Sequence, residues 1–230
     1  MKIYELTNSP SMPPIDLPTP SKKKNASFSM GCFWDSDARF GIKAGIISTR
    51  VGYTGGTSLN PAYHDIGDHI ESVLLVYDPE IVTYQELLTT FWKGHNPTIP
   101  QERQYSSAIY FHDEDQRQLA FETKKRLQDD TFQGQIHTEL ITAGQFFTAE
   151  SHHQKYYLKR YPDIMLDFSI MYPSDKDFIN STAAARINSY IGGFGSYRTL
   201  QYEIDSFGLS PTAMQKLIEI VRDWETQKAA

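Results

Sequence analysis

The stretch Asn25-Ala-Ser-Phe-Ser-Met-Gly-Cys-Phe-Trp34 contains the single cysteine of this 230-residue chain, Cys32. Apolar and small polar residues alternate up to Met30, and this alternation predicts a short strand. Gly31 permits a sharp exit from that strand, because glycine has no Cβ to restrict its backbone angles. The cysteine is therefore predicted to lie in the turn that follows a strand.

A helix is predicted from Trp34 to about Lys43, with Asp35 in its first turn, where a negative side chain favours the positive end of the helix dipole. Backbone N–H groups at a helix N-terminus stabilise a thiolate and lower its pKa. A free cysteine is more often a small buried hydrophobe than a reactive group. The strand-to-helix turn nevertheless favours Cys32 as a nucleophile.

The composition argues against several classes of protein. A net charge of −6 and a pI of about 5.6 disfavour a nucleic-acid groove, and the basic run 22–24 is short and near the N-terminus. One cysteine cannot form an internal disulfide, which indicates a reducing compartment. No stretch resembles a membrane span or a signal peptide. We therefore predict a cytoplasmic protein that binds neither nucleic acid nor membrane.

Capping and turn residues divide the chain into strands and helices. Thr83 and Glu86 form a capping box before an apolar stripe that ends near Gly94. The order of the elements predicts an α+β fold: a two-layer α/β sandwich with a mixed or antiparallel sheet and a ferredoxin-like core. The predicted strands are 25–30, 45–53, 70–77, 105–111 and 136–143, and the predicted helices are 34–43, 83–94, 113–130 and 150–160.

The two ends of the chain differ from this central part. Residues 1–24 are rich in proline and are predicted to form an N-terminal tail that is disordered or wraps the surface. The main domain is predicted to span 25–165. Residues 166–230 are predicted to form a helical C-terminal extension packed on that domain, with helices at 178–191 and from Pro211 onward.

A series of short motifs follows the Cys32 turn in a fixed order. They are GCFW, VGYTGG, NPAY, HIE, YDP, FWKGH and QYSSAIY, and the sequence FFTAESHHQKYY comes after them at 146–157. Together they resemble the A-type peptide methionine sulfoxide reductases (MsrA) from about Ser29 to Tyr161. The resemblance implies an enzyme, with 25–165 as its catalytic domain, that reduces the S epimer of methionine sulfoxide, free or in proteins, to methionine.

The resemblance also implies a role for each matching residue. Cys32 would be the nucleophile, and Phe33 and Trp34 would form the wall that holds the S-methyl group, since aromatic faces make favourable contacts with sulfur. Tyr63 and Tyr105 would hydrogen-bond the sulfoxide oxygen. Taken singly, each aromatic residue fits an ordinary core or loop position better than a role in a site. Their occurrence in register with GCFW reverses that preference and favours the site.

Glu71 matches the family's acid. It lies beside Ile70 and Val73, and desolvation of a carboxyl in such surroundings keeps it protonated near neutral pH. An exposed charge at a sheet edge is the alternative. His152 and His153 are predicted to have a helix-capping or surface role rather than to bind metal, because adjacent histidines on a helix diverge. Neither a metal nor a cofactor is predicted.

The sequence departs from the family pattern in several places. The loop 96–103 is shorter than usual and lacks the family's aspartate, for which Glu102 is the nearest substitute, and Asp37 stands where the family commonly has glutamate. A resolving cysteine is missing as well. The sulfenic acid left on Cys32 would therefore be reduced by an external thiol from thioredoxin, glutaredoxin or a small molecule, acting on a monomer.

Two other functions remain open on the sequence alone. A non-catalytic sensor would bind methionine sulfoxide and signal to a partner protein through the C-terminal helices. A thiol peroxidase would consume peroxide through Cys32 without needing Glu71.

Overall fold

The structure, a computed structural model, describes residues 12–17, 20–130 and 134–229. Its architecture is a sheet with helices packed on it, so the predicted α+β fold class is confirmed. The predicted order of strands and helices up to the fifth strand is also found. The strands are β1 (Lys24–Met30), β2 (Ile46–Thr54), β3 (Ile70–Tyr77), β4 (Ser107–Phe111), β5 (Glu139–Thr142) and β6 (Phe147–Thr148).

The strands form one mixed sheet in the order β5-β4-β1-β3-β2-β6. The pairs among β1, β2, β3 and β4 are antiparallel, whereas β5 runs parallel to β4. The central order β4-β1-β3-β2, with one helix after β1 and one after β3, is the split βαβ arrangement of a ferredoxin-like core. A strand added at each edge completes the sheet.

The helices pack around this sheet and extend beyond it. The capping box before the helix Tyr84–Lys93 forms as predicted, with the Thr83 hydroxyl accepting from the Glu86 N–H. Among the described residues, no helix combines the length and the apolar character needed to cross a membrane. The helices are α1 (Phe33–Gly41), α2 (Tyr84–Lys93), α3 (Glu114–Asp130), α4 (Pro162–Met171), α5 (Asp175–Ile179), α6 (Thr182–Ile191), α7 (Tyr197–Glu203) and α8 (Pro211–Ala229).

Separate apolar clusters support the sheet and the C-terminal helices. On one face of the sheet, Phe28 of β1 stacks on Phe40 of α1 at 5.0 Å and on Phe91 of α2 at 5.4 Å between ring centroids. A second cluster joins α4, α6 and α8 around residues such as Phe168 and Leu217. The named residues of both clusters are buried, so the helical segment is held by a core of its own as well as by contacts with the sandwich.

A buried polar network connects the sandwich to α6. The ammonium of Lys155 donates to both carboxylate oxygens of Asp37, at 3.1 and 3.4 Å, and to the Thr49 hydroxyl at 2.6 Å. Asn188 of α6 donates to Asp37 at 3.3 Å and accepts from the N–H of Leu158 at 3.1 Å. A buried ion pair requires such additional hydrogen bonds, because its charges are cut off from water. The extension thus supplies part of the environment of α1, the helix that begins after Cys32.

Asn188→Ala is expected to destabilise the whole chain by about 1–3 kcal/mol, because it leaves the buried N–H of Leu158 without an acceptor and removes a donor from Asp37. Chemical unfolding followed by circular dichroism measures the change. Asn180→Ala is the matched control, since Asn180 makes an exposed hydrogen bond to the carbonyl of Lys176. Equal stability losses in the two variants would contradict the role assigned to Asn188.

The predicted helix 150–160 is wrong. The chain forms 3-10 turns at Ser151–His153 and Leu158–Arg160, and between them Lys155 adopts a positive φ of 52°. The side chain of Gln154 explains the break, because it pairs with the backbone N–H and carbonyl of Val51 at 3.0 and 2.8 Å. These side-chain bonds hold the segment against β2 in place of helical hydrogen bonds.

The predicted helix 178–191 is interrupted at Asn180. Ser181 caps a new helix, α6, by accepting from the N–H of Ala184. Asp16 of the N-terminal segment accepts from the N–H of Thr182 at 2.6 Å and so satisfies another free donor of this helix end. Of the predicted N-terminal tail 1–24, residues 1–11, 18 and 19 lie outside the described part of the chain.

Candidate active site

The sheet register brings the predicted site residues to one end of the sheet. β1 ends at Met30, which pairs with Ser107 at the start of β4, so Tyr105 lies just beyond this edge. β3 runs antiparallel to β1, and Glu71 near its start is therefore at the same end. In an antiparallel pair, one strand ends where its neighbour begins, so residues that are distant in the chain meet at this end of the sheet.

Cys32 lies where the sequence predicts, at the N-cap position of α1 after Gly31, whose φ of 89° is readily adopted only by glycine. The thiol is partly buried. Burial raises its pKa, the backbone N–H groups of Trp34 and Asp35 act in the opposite direction, and the negative charges of Glu71 and Asp35 add to the increase. Together these effects raise the pKa of the Cys32 thiol. The expectation of a lowered pKa is therefore wrong for the free protein, because desolvation outweighs the effect of the helix N-terminus.

Glu71 is buried, with 1% of its surface exposed, and the alternative of an exposed edge charge is wrong. One carboxyl oxygen accepts from the N–H of Phe33 at 3.0 Å and the other accepts from the amide of Gln104 at 2.8 Å. Burial raises the pKa of this carboxyl, and the two donors partly offset the increase. The bond to Phe33 fixes the carboxyl beside the residue that follows Cys32.

Gln104 is a site residue that the sequence analysis missed. Its amide donates to Glu71, whereas Glu102, the substitute considered for the absent aspartate, has an exposed side chain. The short 3-10 turn Arg103–Tyr105 turns Gln104 toward Glu71 while Tyr105 follows it. The sequence contains one usable signal, the position of Gln104 directly before the site tyrosine.

Aromatic rings beside Cys32 form what we call the aromatic seat, consisting of Phe33, Trp34, Tyr63 and His153. The ring of Phe33 lies 6.4 Å from that of Trp34 and 6.4 Å from that of Tyr63, measured between centroids. Trp34 is fixed on its other side by Tyr156, whose ring stacks on it at 3.6 Å with an interplanar angle of 1°. Such packing restricts the indole to one orientation.

His153 is buried within this seat, so its predicted surface role is wrong. Its ring lies 5.2 Å from that of Phe33 and 4.5 Å from that of Tyr63, and its Nδ1 accepts from the indole N–H of Trp34 at 3.2 Å. Burial lowers the pKa of His153, which favours the neutral ring that this acceptor role requires. His152, its neighbour in the 3-10 turn, is exposed.

The two phenols lie together at the site. The side chains of Tyr63 and Tyr105 are hydrogen-bonded, and this bond raises the pKa of Tyr105 to about 12. Tyr105 is therefore a neutral O–H donor at pH 7. Glu150, also missed, positions Tyr63 by accepting from its backbone N–H at 3.1 Å, and it accepts from the Tyr53 hydroxyl at 2.7 Å.

The raised pKa of Glu71 predicts a pH-dependent stability. A carboxyl whose folded pKa exceeds its ordinary value, 4.5, is ionised less readily in the folded state, so the protein loses stability as pH rises through the folded pKa. Glu71→Gln does not ionise. Its stability relative to the unmodified chain is expected to increase with pH above the ordinary value, by about 1.4 kcal/mol for each unit of pKa elevation. Chemical unfolding at a series of pH values measures this difference, and a difference that does not change with pH would contradict it.

Fold and site together define an α+β sandwich protein with a cysteine at a helix N-terminus, a buried carboxyl beside it and an aromatic seat. Residues 24–185 match the family model described as peptide methionine sulfoxide reductase, and 174–223 match the model described as selenoprotein methionine sulfoxide reductase A, helical domain. The chain belongs to the peptide methionine sulfoxide reductase family. The second model is described as that of a selenoprotein, whereas the candidate site of this chain contains a cysteine, Cys32.

Individual relatives agree with this assignment. A peptide methionine sulfoxide reductase of Drosophila melanogaster is 37% identical over 195 residues, which cover 84% of this chain and 78% of the relative. The MsrA of Methanococcoides burtonii is 40% identical over 147 residues, covering 59% of this chain and 96% of the relative. The solved methionine sulfoxide reductase A of Corynebacterium diphtheriae superimposes with a TM-score of 0.54 at 29% identity, over 67% of this chain and 83% of that chain.

Proposed function

We propose that this chain reduces the S epimer of methionine sulfoxide, free or in proteins, to methionine, with Cys32 as the nucleophile. The observation that carries the proposal is the convergence of Cys32, buried Glu71 and Tyr105 at one sheet end, beside the aromatic seat. Membership in the peptide methionine sulfoxide reductase family supports the same reaction.

In the proposed complex, the S-methyl group contacts Phe33 and Trp34, and the sulfoxide oxygen accepts hydrogen bonds from Tyr63 and Tyr105. Aromatic rings contact sulfur and its methyl group favourably. The oxygen then lies toward Glu71, which donates its proton as a general acid. Tyr156 and His153 hold Trp34 in one orientation, so the methyl seat and the oxygen donors keep a fixed relation that fits one of the two sulfoxide epimers.

The reaction transfers one oxygen atom and two electrons. Glu71 protonates the sulfoxide oxygen, the substrate S–O bond breaks, and an S–O bond forms on Cys32 Sγ. The thiol proton of Cys32 goes to the Glu71 carboxylate, so the acid is restored. The substrate sulfur is reduced to the thioether of methionine, and Cys32 is oxidised to a sulfenic acid.

The raised pKa of Cys32 is consistent with this sequence. A protonated thiol reacts slowly with peroxide, since the thiolate is the reactive form. Loss of the thiol proton is favoured once Glu71 has given up its own proton to the bound sulfoxide and can accept another. The site is thus suited to a substrate that occupies it rather than to peroxide.

Regeneration requires an external thiol from thioredoxin, glutaredoxin or a small molecule, because the chain contains no second cysteine. We propose further that 25–165 is the catalytic domain and 166–230 a helical extension packed on it, and that the enzyme acts as a cytoplasmic monomer. The buried contact between Asn188 and Asp37 supports a structural role for the extension.

Turnover with dithiothreitol and each separated epimer of methionine sulfoxide tests the proposal. Methionine is expected from the S epimer, with negligible product from the R epimer. Binding of the S epimer without turnover would overturn the proposal and identify a sensor. Consumption of peroxide that is unaffected by Glu71→Gln, with no methionine formed from sulfoxide, would identify a peroxidase instead.

A further inference from the structure

A cavity of about 300 Å³ borders Cys32 on the side of the loop that follows α2. Met30 and Gly31 line it next to the cysteine, and the loop contributes Asn96, Ile99 and Gln101. None of Phe33, Trp34, Tyr63 and Glu71 lines this space. The loop-side cavity is therefore distinct from the aromatic seat, and Cys32 and Tyr105 are the site residues that border it.

The direction of attack on an oxidised cysteine makes this second opening significant. A nucleophile displaces a leaving group from divalent sulfur along the line of the breaking bond, from the opposite side. In the proposed reaction, the oxygen on Cys32 comes from a sulfoxide held by Glu71, Tyr63 and Tyr105, so it is left near those donors. An incoming thiol must then reach Sγ away from that oxygen, and the loop-side cavity offers an opening onto Cys32 that is lined by neither Glu71 nor Tyr63, with Tyr105 at the border of the two spaces.

The chemistry of the cavity wall indicates which thiols it accepts. Asn96, Gln101 and Ser107 are neutral and polar, and Ile99 is apolar. His95 completes this wall; its Nδ1 donates to the Phe91 carbonyl at 3.0 Å, and burial lowers its pKa, so the ring is neutral at pH 7. The described residues that line the cavity thus carry no formal charge, and the chain has a net charge of −6. Arg39, whose charge acts on His95, packs over the Phe194 ring and does not line the cavity. The lining residues themselves thus provide no charged partner for the carboxylates of an anionic thiol.

We propose that the loop-side cavity is the entry site for the reducing thiol and that it selects uncharged thiols, either small molecules or the cysteine side chain of a protein. This inference rests on the proposed function of Cys32. The first thiol forms a bond to Cys32 Sγ as the Sγ–O bond breaks, and the hydroxyl leaves with the proton of that thiol as water. A second thiol displaces Sγ from the mixed disulfide, which restores the Cys32 thiol and leaves the two reductant sulfurs as a disulfide.

Ile99→Trp tests the entry site, because a larger side chain at the cavity mouth blocks it. Ile81→Trp is the matched control, since Ile81 is a similarly exposed isoleucine that does not line the cavity. Two steps are measured: methionine formed in the first turnover without reductant, and the return of the Cys32 thiol after dithiothreitol is added. Ile99→Trp is expected to keep the first step and slow the second about tenfold or more, and Ile81→Trp to change neither.

Charge selection is tested separately in the unmodified chain and in Gln101→Arg. Dithiothreitol is expected to restore the Cys32 thiol faster than the anionic glutathione at equal concentration, and thioredoxin to act as well. In Gln101→Arg, the rate of thiol recovery with glutathione, divided by the rate with dithiothreitol, is expected to rise by about a factor of five, because a guanidinium pairs with carboxylates. This arm remains decisive if Ile99→Trp fails to fold.

The outcomes separate the two proposals. Recovery at the unmodified rate in Ile99→Trp, or an unchanged preference in Gln101→Arg, would overturn the entry site. Loss of the first turnover in Ile99→Trp, with its fold intact, would also overturn it by assigning the cavity to the sulfoxide. Absence of any first turnover in the unmodified chain would instead refute the proposed function.

Discussion

Cys32→Ser is expected to abolish the reduction of methionine sulfoxide, lowering kcat/KM by about 10³-fold or more. A serine hydroxyl is neither nucleophilic enough to attack the sulfoxide nor able to accept its oxygen in a two-electron oxidation. Rates of methionine formation with dithiothreitol, measured for both proteins by chromatography, give the ratio.

The substitution isolates chemistry from folding. Cys32 occupies the N-cap of α1 without a side-chain capping hydrogen bond, so serine is expected to preserve the helix start. Unfolding curves of the two proteins should agree within about 1 kcal/mol. Retention of a tenth of the activity in a well-folded Cys32→Ser protein would remove Cys32 from the role of nucleophile.

Glu71→Gln is expected to lower kcat/KM by about 10²–10³-fold, within the range found for the loss of a general acid. Glutamine has nearly the same shape, and its carbonyl oxygen can accept from the N–H of Phe33, as Glu71 does at 3.0 Å. It cannot give a proton to the sulfoxide oxygen. Steady-state kinetics with the S epimer measure the loss, which is expected in kcat more than in KM.

Glu102→Gln is the matched control for Glu71→Gln. Its side chain is exposed on the same short loop as Gln104, and we expect activity within about twofold of the unmodified chain. A large loss from Glu102→Gln together with a small one from Glu71→Gln would contradict the assignment of the acid and restore Glu102 as the substitute for the family's aspartate.

The centre of the fold was predictable because local signals agree with the long-range pairing. Alternation up to Met30, glycine at 31 and acidic residues after it specify a strand, a turn and a helix start, and all are found. The capping box at Thr83 likewise marks its helix to the residue. These signals lie within a few positions of one another, so the sequence displays them directly.

The segment 150–160 was mispredicted because its conformation depends on distant partners. Gln154 replaces strand pairing on β2, and Lys155 reaches the buried carboxylate of Asp37, which lies 118 positions earlier in the chain. From the sequence alone, polar residues such as these are expected to be exposed to solvent. Their burial follows only from the tertiary contacts that satisfy them.

The site shows the same division. Motifs in register with Cys32 pointed to Glu71, Tyr63 and Tyr105, but the side chains that position them were missed. Gln104, which donates to Glu71, and Glu150, which accepts from the N–H of Tyr63, were not identified from the sequence. His153, which accepts from Trp34, was assigned a helix-capping or surface role. The net pKa of Cys32 was missed for a related reason, since the sequence shows the helix start but not the extent of burial.

The central claim is that Cys32 takes the oxygen of methionine sulfoxide and then waits for an external thiol. Intact-mass spectrometry after one equivalent of the S epimer, without reductant, tests it most directly, with methionine measured in the same sample. We expect one methionine per chain and one added oxygen located on Cys32, which thiols then remove, and no added oxygen in Cys32→Ser. A chain recovered wholly as the free thiol, with no methionine formed, would contradict the account.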